Sequence, residues 1–423
     1  MDKIGRDSKQ MIEVIMVTFF KIYFLIYLFI PVICSSFSYV AYYPEFILAN
    51  VVLFVFGMIY ILWLVYNREF TKRNFIIATI LIVSIVGYSI FYIQNMHVIK
   101  WNHELKNVIL SFSIVVLLLI GKNENWIEKR KIIQFTTACI LISNIVGIII
   151  YKAGYMSIWF LNWKLQTDTL ESGKNYFGEY RFNWLYFHKS EYALMVLLFL
   201  AFLLINSERF FEKKLRGTIV FALGICVLIY SLYISHVNTS IVGGILMIVG
   251  KTVYEMYLRC KKSSLWIKTI ISICSLAVIG SSARMILEKI ARERNLSTLG
   301  SRSEIWKASI KVLKENYLGI GTAYNNGYRI PIVGAFTVNN AHNVFLNEML
   351  RFSVPVGVCF TIAFVAIIVI SLVRNFNIFT VSIWVALLAA MNMDYCMLPQ
   401  ELSMVLIMLY LIFFYPKGKK VRN

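Results

Sequence analysis

Charged residues are scarce in this sequence. Asp, Glu, Lys and Arg make up 15% of its 423 residues, and hydrophobic residues make up 59%. Soluble domains carry about 25% charged residues, which help to cover a surface exposed to water. The shortage excludes an ordinary soluble fold and predicts an all-α polytopic membrane protein, because helices satisfy their own backbone hydrogen bonds inside a bilayer.

Closely spaced cysteines are absent as well. The seven cysteines stand singly, mostly inside apolar runs, and no pair is separated by only two residues. A metal site or a disulfide framework needs such spacings, so neither is expected and the cysteines are interpreted as small buried residues. Since no linker rich in Pro or Gly marks off a second domain, residues 1–423 are predicted to form one integral membrane domain.

Long apolar runs are what the sequence has instead. A helix needs roughly 20 apolar residues to cross the bilayer, and a scan at that length predicts twelve spans. They lie near residues 11–31, 46–66, 75–94, 107–121, 132–151, 190–206, 217–234, 239–256, 265–283, 343–373, 376–394 and 399–415.

The basic residues indicate how these spans are oriented. Lys and Arg gather at both termini and in alternate loops, for example at Lys129, Arg130 and Lys131, whereas the short loops of the opposite set hold only Lys100 and Lys106. The positive-inside rule then places both termini in the cytoplasm. Because the basic residues do not form one patch, nucleic acid is not an expected partner despite the net charge of +20.

Two connections are long, about 151–189 and about 284–341, and this topology places both outside the cytoplasm. Long connections in compact domains are usually functional, so we expect the chemistry at the extracytoplasmic membrane surface. No cluster of Asp and Glu with metal-ligand spacing occurs in either connection. Neither a metal ion nor another cofactor is therefore expected.

Aromatic residues surround Arg181 near the end of the first connection, in GEYRFNWLYFHKSEYAL. The ring of a residue such as Trp184 can stack on a sugar, but an aromatic belt at the membrane interface explains the same composition. Arg181 is either a functional residue or a solvated loop arginine. His188 stands where the next span begins and is the weaker catalytic candidate.

Short amphipathic helices are expected in both long connections. The one predicted in the second connection lies on the membrane or on the bundle. Ser301 and Glu304 have the spacing of a capping box, and Gly319 ends the pattern. Arg302 in the first turn is either a solvated charge or an anion-binding residue, because helix N-termini attract anions and arginine binds phosphate bidentately. The predicted apolar face consists of Trp306, Ile310, Leu313 and Tyr317.

His342 stands where the second connection meets an apolar run, within NNAHNVFLNEML. This position is at the interface, wet on one side and apolar on the other. Imidazole titrates near neutral pH and can exchange a proton with a substrate. An interfacial histidine with a satisfied hydrogen bond explains the residue equally well when it is considered alone.

Taken together, SRSEIWKASIKVLKENYLGIGTAYN and NNAHNVFLNEMLRF resemble the signature of the O-antigen ligase and polymerase superfamily. Members show an arginine, a tryptophan four residues later, a GxG after a short helix and then HNxxL, with another arginine in the earlier outer loop. Here these residues are Arg302, Trp306, Gly319, Gly321, His342, Asn343, Leu346 and Arg181.

The chain departs from the pattern of this superfamily at two places. Ser353 and Val356 stand where members often have glycine. Thr239 and Ser240 stand where many members carry a Ser-Arg pair at the start of a middle helix. These departures favour the more divergent polymerases within the superfamily.

The resemblance implies a metal-independent glycosyltransferase at the outer face of a bacterial cytoplasmic membrane. It would polymerise polyprenyl-pyrophosphate-linked oligosaccharides into O-antigen, capsular or exopolysaccharide, among membrane lipid and with a flippase and a chain-length regulator as candidate partners. His342 would be the base, and Arg302 and Arg181 would bind the pyrophosphate. Further substrate contacts would come from Asn343, Asn340, Trp306, Tyr324, Arg329 and Trp184.

Three other functions stay open. A ligase would move the lipid-linked glycan onto lipid A core or another acceptor. A flippase or other transporter should carry cationic residues inside its spans, where the sequence has few, such as Lys21 and Lys268. A metal-dependent enzyme that uses polyprenyl phosphate should have acidic residues in its first outer loop, where Glu45 stands alone.

The predicted topology can be tested by cysteine labelling in intact cells. Cysteines introduced at Ser172 and Asn325 should react with an impermeant maleimide, because both long connections are predicted to be extracytoplasmic. Reaction only after permeabilisation would contradict the orientation.

Overall fold

The computed structural model describes part of the chain. The described residues are 11, 79, 82–84, 86–91, 129–154, 157–159, 166–168, 170–174, 180–184, 186, 188–207, 214–259, 301–320, 330–333, 336–338, 340–394, 402, 405, 406 and 408–414. The predicted spans near 46–66, 107–121 and 265–283 lie outside these residues, as does all but the first residue of the span near 11–31.

The described residues are mostly helical. A helical segment runs over Ile82–Phe91, and a π-helical turn occupies Tyr410–Phe414. Between them lie the helices α1 Lys129–Lys152, α2 Lys189–Ile205, α3 Lys214–Ser235, α4 Asn238–Arg259, α5 Arg302–Glu315, α6 Val344–Arg351, α7 Val354–Asn375 and α8 Ile378–Met393.

Four of the described helices, α1, α3, α4 and α7, are long and apolar enough to cross a membrane. α2 and α8 are apolar but shorter, with 17 and 16 residues. The predicted spans near 132–151, 190–206, 217–234, 239–256 and 376–394 agree with α1, α2, α3, α4 and α8 to within about three residues. The total of twelve spans stays a prediction.

Helix α2 is the centre of the bundle. Every residue from Lys189 to Leu204 is buried, and α3, α4 and α8 pack around it. A helix that is apolar on all sides requires such a position. A polar link joins it to its neighbours: the Asn144 Oδ1 of α1 accepts hydrogen bonds from the Tyr192 hydroxyl of α2 at 2.9 Å and from the Ser231 hydroxyl of α3 at 3.2 Å.

Helices α4 and α8 pack closely and run antiparallel. Gly243 of α4 faces Ala386 of α8. About two turns later in α4, Gly250 faces Ser382, which comes before Ala386 in α8. Small residues at such positions allow the backbones of two apolar helices to approach. The first turn of α4 therefore lies beside the last turn of α8.

The predicted span near 343–373 is wrong in one respect, because the structure divides it into α6 and α7. Ser353 separates the two helices and caps α7 by accepting a hydrogen bond from the Val356 N–H at 3.3 Å. Pro355 stands in the first turn of α7, where its missing N–H costs nothing. α6 then folds against α7 at Gly357, where a Cβ would lie 2.9 Å from the Met349 backbone nitrogen.

Short antiparallel hairpins occupy parts of the two long connections. β1 Ser157–Trp159 pairs with β2 Gln166–Asp168, β3 Leu170–Lys174 pairs with β4 Tyr180–Phe182, and β5 Ile330–Val333 pairs with β6 Phe336–Val338. The amphipathic helix expected in the second connection is present as α5. In the first connection, the described residues between α1 and α2 form strands, so the helix expected there is not confirmed.

The face of α5 differs from the predicted one. Its buried residues are Ile305, Ser309, Val312 and Leu313, which pack toward β5 and α6. Leu313 was expected on this face, but Ile310 is 45% exposed and Tyr317 is 59% exposed. The predicted face left out Ile305 and Val312. Because both are buried, the packed face of α5 lies further around the helix from Ile310 than predicted.

The end of α5 is joined to the break between α6 and α7 by backbone hydrogen bonds. The Ile320 N–H donates to the Leu350 carbonyl at 2.8 Å, and the Val354 N–H donates to the Tyr317 carbonyl at 3.0 Å. Gly319 between them has φ +77°, and a Cβ there would lie 3.0 Å from the carbonyl oxygens of Met349 and Leu350. Glycine is therefore required at this crossing both for its φ and for space.

Replacing Gly319 by alanine should destabilise the protein more than the same change at Gly154. Both glycines have φ +77°, but nothing lies within 4 Å of a Cβ at Gly154. Gly154→Ala should cost about 1 kcal/mol for the left-handed backbone, and Gly319→Ala about 1–3 kcal/mol more for the steric overlap. The measurement is the unfolding midpoint in detergent, and equal effects would contradict the close approach.

Candidate functional site

The candidate site lies at the end of the bundle where α2 and α4 begin and α8 ends, which we call the site end. Backbone strain concentrates there. Among the described residues, the non-glycine residues with left-handed φ are Trp184 (51°), His236 (52°), Ser301 (68°) and His342 (48°), and each stands shortly before the start of a helix. Such conformations cost of order 1–3 kcal/mol each and cluster at functional sites.

Arg302, predicted to bind pyrophosphate, lies in the first turn of α5 and reaches across to the end of α8. Its Nε donates to the Met393 carbonyl at 2.8 Å, and its Nη2 lies 3.2 Å from Asp394 Oδ1. Met393 is the last residue of α8 and Asp394 is its C-cap. The guanidinium therefore meets a carbonyl that the helix leaves unpaired and the negative end of the helix dipole.

The geometry at Ser301 corrects one expectation. Ser301 is the N-cap of α5 as predicted, but its side chain makes no capping hydrogen bond. Its left-handed backbone turns the hydroxyl away from the first N–H groups, which an N-cap in the extended region would reach. The capping box predicted with Glu304 is therefore wrong.

His342 occupies a turn that asparagine side chains hold in place. Its backbone N–H donates to Asn340 Oδ1 at 2.9 Å, and the preceding Ala341 N–H donates to Asn347 Oδ1 at 2.9 Å. Asn343 caps α6 by accepting from the Leu346 N–H at 3.0 Å. These bonds offset the left-handed φ of His342 and fix the direction in which its half-buried imidazole leaves the backbone.

The end of α8 brings the two segments together. Asn343 Nδ2 donates to Asn392 Oδ1 at 2.9 Å, and Arg302 binds Met393 and Asp394, the next residues along the chain. The segments of Arg302 and His342, about forty residues apart in the sequence, thus both contact residues 392–394 at the end of α8. This convergence is the main observation at the site.

Trp306 lies one helical turn after Arg302 on the same side of α5. Its Nε1 is buried and has no hydrogen-bond partner within the described part of the chain. A buried donor without a partner costs about 1–3 kcal/mol. The substrate contact predicted for Trp306 stays a prediction, and a bound oxygen would have to reach a buried N–H.

Buried charges line the inner side of α6, and sequence reasoning missed them. Glu348 is 4% exposed and Arg351 is 7% exposed. The Tyr88 hydroxyl donates to Glu348 Oε2 at 3.4 Å, and the Arg351 guanidinium lies 5.2 Å from the centre of the Phe352 ring. Buried ionisable residues are costly unless they have partners, and these contacts supply partners at the end of α6.

The remaining aromatic candidates belong to the core. Trp184 is 3% exposed and its Nε1 donates to Ser143 Oγ of α1 at 3.1 Å, which gives it a packing role instead of the substrate contact expected. His188 is the N-cap of α2: its Nδ1 accepts from the Ser190 N–H at 3.2 Å, and Glu191 Oε2 accepts from the His188 N–H at 3.1 Å. This capping box explains His188 without a catalytic role.

Arg181 lies in β4, next to a residue that packs on the helices of the site end. Phe182, its neighbour, contacts Tyr151 of α1 and Tyr192 of α2 at ring distances of 5.3 Å. The backbone of Arg181 is therefore anchored beside the start of α2. Tyr324 and Arg329, the other expected substrate contacts, lie outside the described residues.

Asp394 and Asn392 are the site residues that the sequence did not reveal. Their signal is a polar group, NMD, at the end of an otherwise apolar span. The contact between Arg302 and Asp394 joins residues 92 positions apart, which no local pattern can predict. The side chains of Arg302 and Asp394 are 12% and 16% exposed, so the pair is largely shielded from water.

The sequence matches no protein-family model and no curated protein. The resemblance to the O-antigen ligase and polymerase superfamily therefore rests on the motifs alone. Independently of it, the site combines a fixed guanidinium, a buried indole donor and a histidine in a strained turn. A guanidinium can bind an anion and an imidazole can exchange a proton, and the segments that carry Arg302 and His342 both contact the end of α8.

A double-mutant cycle on Arg302→Ala and Asp394→Ala should show coupling. Charge-assisted hydrogen bonds with little exposure contribute about 1–3 kcal/mol. The loss of unfolding free energy in the double variant, measured in detergent, should therefore be smaller than the sum of the losses in the two single variants. The matched control is the pair Lys251–Glu255 on α4, at 2.7 Å with exposures of 12% and 30%, for which about 0.5 kcal/mol is expected. Additive effects at Arg302 and Asp394 would show that the contact is not formed.

Proposed function

We propose that this protein is a glycosyltransferase that polymerises oligosaccharide units linked to polyprenyl pyrophosphate. The observation that carries the proposal is the meeting of the Arg302 and His342 segments on the last turn of α8. The resemblance requires an anion-binding arginine and a base in one site, and these segments supply both. The helices long and apolar enough to cross a membrane suit a substrate that is anchored by a lipid.

In the proposed reaction the acceptor hydroxyl attacks the anomeric carbon of the donor sugar. The new glycosidic C–O bond forms as the bond between that carbon and the pyrophosphate oxygen breaks. The leaving group departs as an anion, so it needs charge stabilisation more than a proton. Arg302 provides this stabilisation, because a guanidinium carries five N–H donors in a planar fork and can bridge Asp394 and a phosphate.

His342 accepts the proton that the acceptor hydroxyl loses. Its imidazole must be neutral before the transfer and carries the proton afterwards. Asn340, Asn343 and Asn347 hold the backbone of the His342 turn, and Asn343 ties this turn to Asn392 at the end of α8, where Arg302 also binds. In the proposed site this arrangement positions the base for the acceptor sugar. Trp306 donates its indole N–H to the donor substrate.

Asp394 acts through Arg302. Its carboxylate holds the guanidinium at the end of α8 and prevents the long side chain from turning into solvent. A positioned group avoids reorganisation at the moment of reaction. The proposal locates the site end at the outer face of the bacterial cytoplasmic membrane, with both termini in the cytoplasm, as the positive-inside pattern predicts. A flippase would supply the lipid-linked substrates there.

Arginine-to-lysine exchange tests the role of Arg302. Arg302→Lys keeps one positive charge but loses the planar fork, so it should reduce polymer by at least about tenfold at equal expression. Arg216→Lys makes the same exchange at an exposed position near the start of α3, at the other end of the bundle; it is the control and should leave polymer unchanged. Polymer near the normal amount in Arg302→Lys would remove Arg302 from the reaction.

Substitution of His342 tests the base and the class of function together. His342→Ala should insert normally, reduce polymer by about 10² to 10⁴-fold and leave single lipid-linked repeats at the outer leaflet. His342→Gln should be equally poor, because an amide can hydrogen-bond but cannot take up a proton. Substantial activity in His342→Gln would show that the ring only orients the acceptor. Accumulation of repeats at the inner leaflet would instead indicate a flippase.

A further inference from the structure

One face of α7 is an exposed apolar stripe. Val358, Ile362, Val365, Val369 and Val373 follow one another at spacings of three or four residues and are 40% to 76% exposed. Residues at these spacings share one side of a helix. α7 is long and apolar enough to cross a membrane, and such a side is suited to contact the hydrocarbon of the bilayer.

The end of α5 lies at the start of this lipid-facing helix. The first residue of α7, Val354, donates its N–H to the Tyr317 carbonyl at 3.0 Å. Tyr317 and Leu318 are 59% and 49% exposed. With α7 as a membrane span, its first residues would lie at the boundary, and these two side chains would be at the level where tyrosine is enriched and lipid headgroups meet water.

A row of lysines extends from this point along the outer side of α5. Lys314, Lys311 and Lys307 are exposed and lie opposite the packed face of Ile305, Ser309, Val312 and Leu313. Their spacings of three and four residues align the ammonium groups along about 10 Å of helix. Ile310 borders the row on one side with 45% of its surface exposed, and Glu304 and Glu315 border it on the other.

We propose that the exposed face of α5, formed by Lys307, Ile310, Lys311, Lys314, Tyr317 and Leu318, binds anionic phospholipid headgroups in the leaflet at the site end. The lysines reach the phosphates, and the apolar side chains enter the boundary between headgroups and acyl chains. The binding clamps α5 to the membrane surface, and thereby holds Arg302, in the first turn of the same helix, at the depth of a lipid-linked phosphate. The proposal does not rest on the glycosyltransferase function.

Charge and hydrophobicity together favour a lipid surface over an acidic glycan. Three lysines complement either ligand, but exposed isoleucine and leucine side chains gain nothing from a polysaccharide in water. Their burial at a lipid interface is favourable. The backbone contact of Tyr317 with the lipid-facing helix also places this face within reach of headgroups without any movement of the chain.

Photo-crosslinking of the full-length protein in nanodiscs tests the proposal. A photoreactive phenylalanine analogue replaces Ile310, and the bilayers consist of phosphatidylcholine alone or of phosphatidylcholine with phosphatidylglycerol. We expect phospholipid adducts in both bilayers. In the mixed bilayer, phosphatidylglycerol should be enriched among the adducts by at least about fivefold over its bulk fraction, the factor that one lysine near an anionic surface contributes.

Matched variants isolate the lysine row. When Lys307, Lys311 and Lys314 are all replaced by glutamine, the fraction of phosphatidylglycerol among the adducts should fall to its bulk fraction. When they are replaced by arginine, the enrichment should persist. Glutamine at Lys417, Lys419 and Lys420 removes the same charge from the C-terminal tail and should also keep it. The mixed bilayer is then supplemented with an acidic lipid-linked oligosaccharide to distinguish the sources.

Three results would overturn the proposal. The first is the absence of phospholipid adducts at position 310, and the second is an enrichment that survives the glutamine substitutions on α5. The third is capture of the supplied oligosaccharide in place of phospholipid, which would assign the lysine row to the glycan.

Discussion

The packing of α8 against α4 and the buried α2 sets the position of every group at the site end. Small residues allow the close approach, with Gly243 facing Ala386, and the antiparallel direction brings the end of α8 beside the beginnings of α2 and α4. A helix end exposes carbonyl groups that its own backbone cannot pair. At Met393 the carbonyl accepts a hydrogen bond from Arg302. The residue that pairs the end of α8 is thus also the one to which the proposed reaction assigns pyrophosphate binding.

A second constraint acts on the His342 turn. The left-handed backbone of His342 is unfavourable by itself, and it persists because Asn340, Asn343 and Asn347 all bind backbone N–H groups around it. The sequence predicted Asn340 and Asn343 as substrate contacts. The structure gives both a part in holding the turn, and the Nδ2 of Asn343 also ties the turn to Asn392. Their effect on a substrate would then be exerted through the orientation of His342.

The sequence predicted features that depend on local composition and missed those that depend on tertiary contact. Apolar length located α1, α2, α3, α4 and α8, because a span is defined by its own residues. The break before α7 was signalled by Ser353 and Pro355, but hydropathy alone does not resolve it. The packed face of α5 was misassigned because Ile310 fits a helical repeat as well as Ile305 does, and only the contacts with β5 and α6 decide between them.

The balance of charge at the site favours a second arginine in the proposed reaction. The positive charge of Arg302 is already opposed by Asp394 and by the carbonyl end of α8, so its attraction for a pyrophosphate with more than one negative charge is reduced. A further cation is needed to hold such a donor. Arg181 is the candidate whose backbone the structure anchors at the site end, through Phe182 beside the start of α2. Two arginines from separate connections would then close on the donor from different sides, and the Asp394 contact would keep Arg302 from binding other anions as tightly when no donor is present.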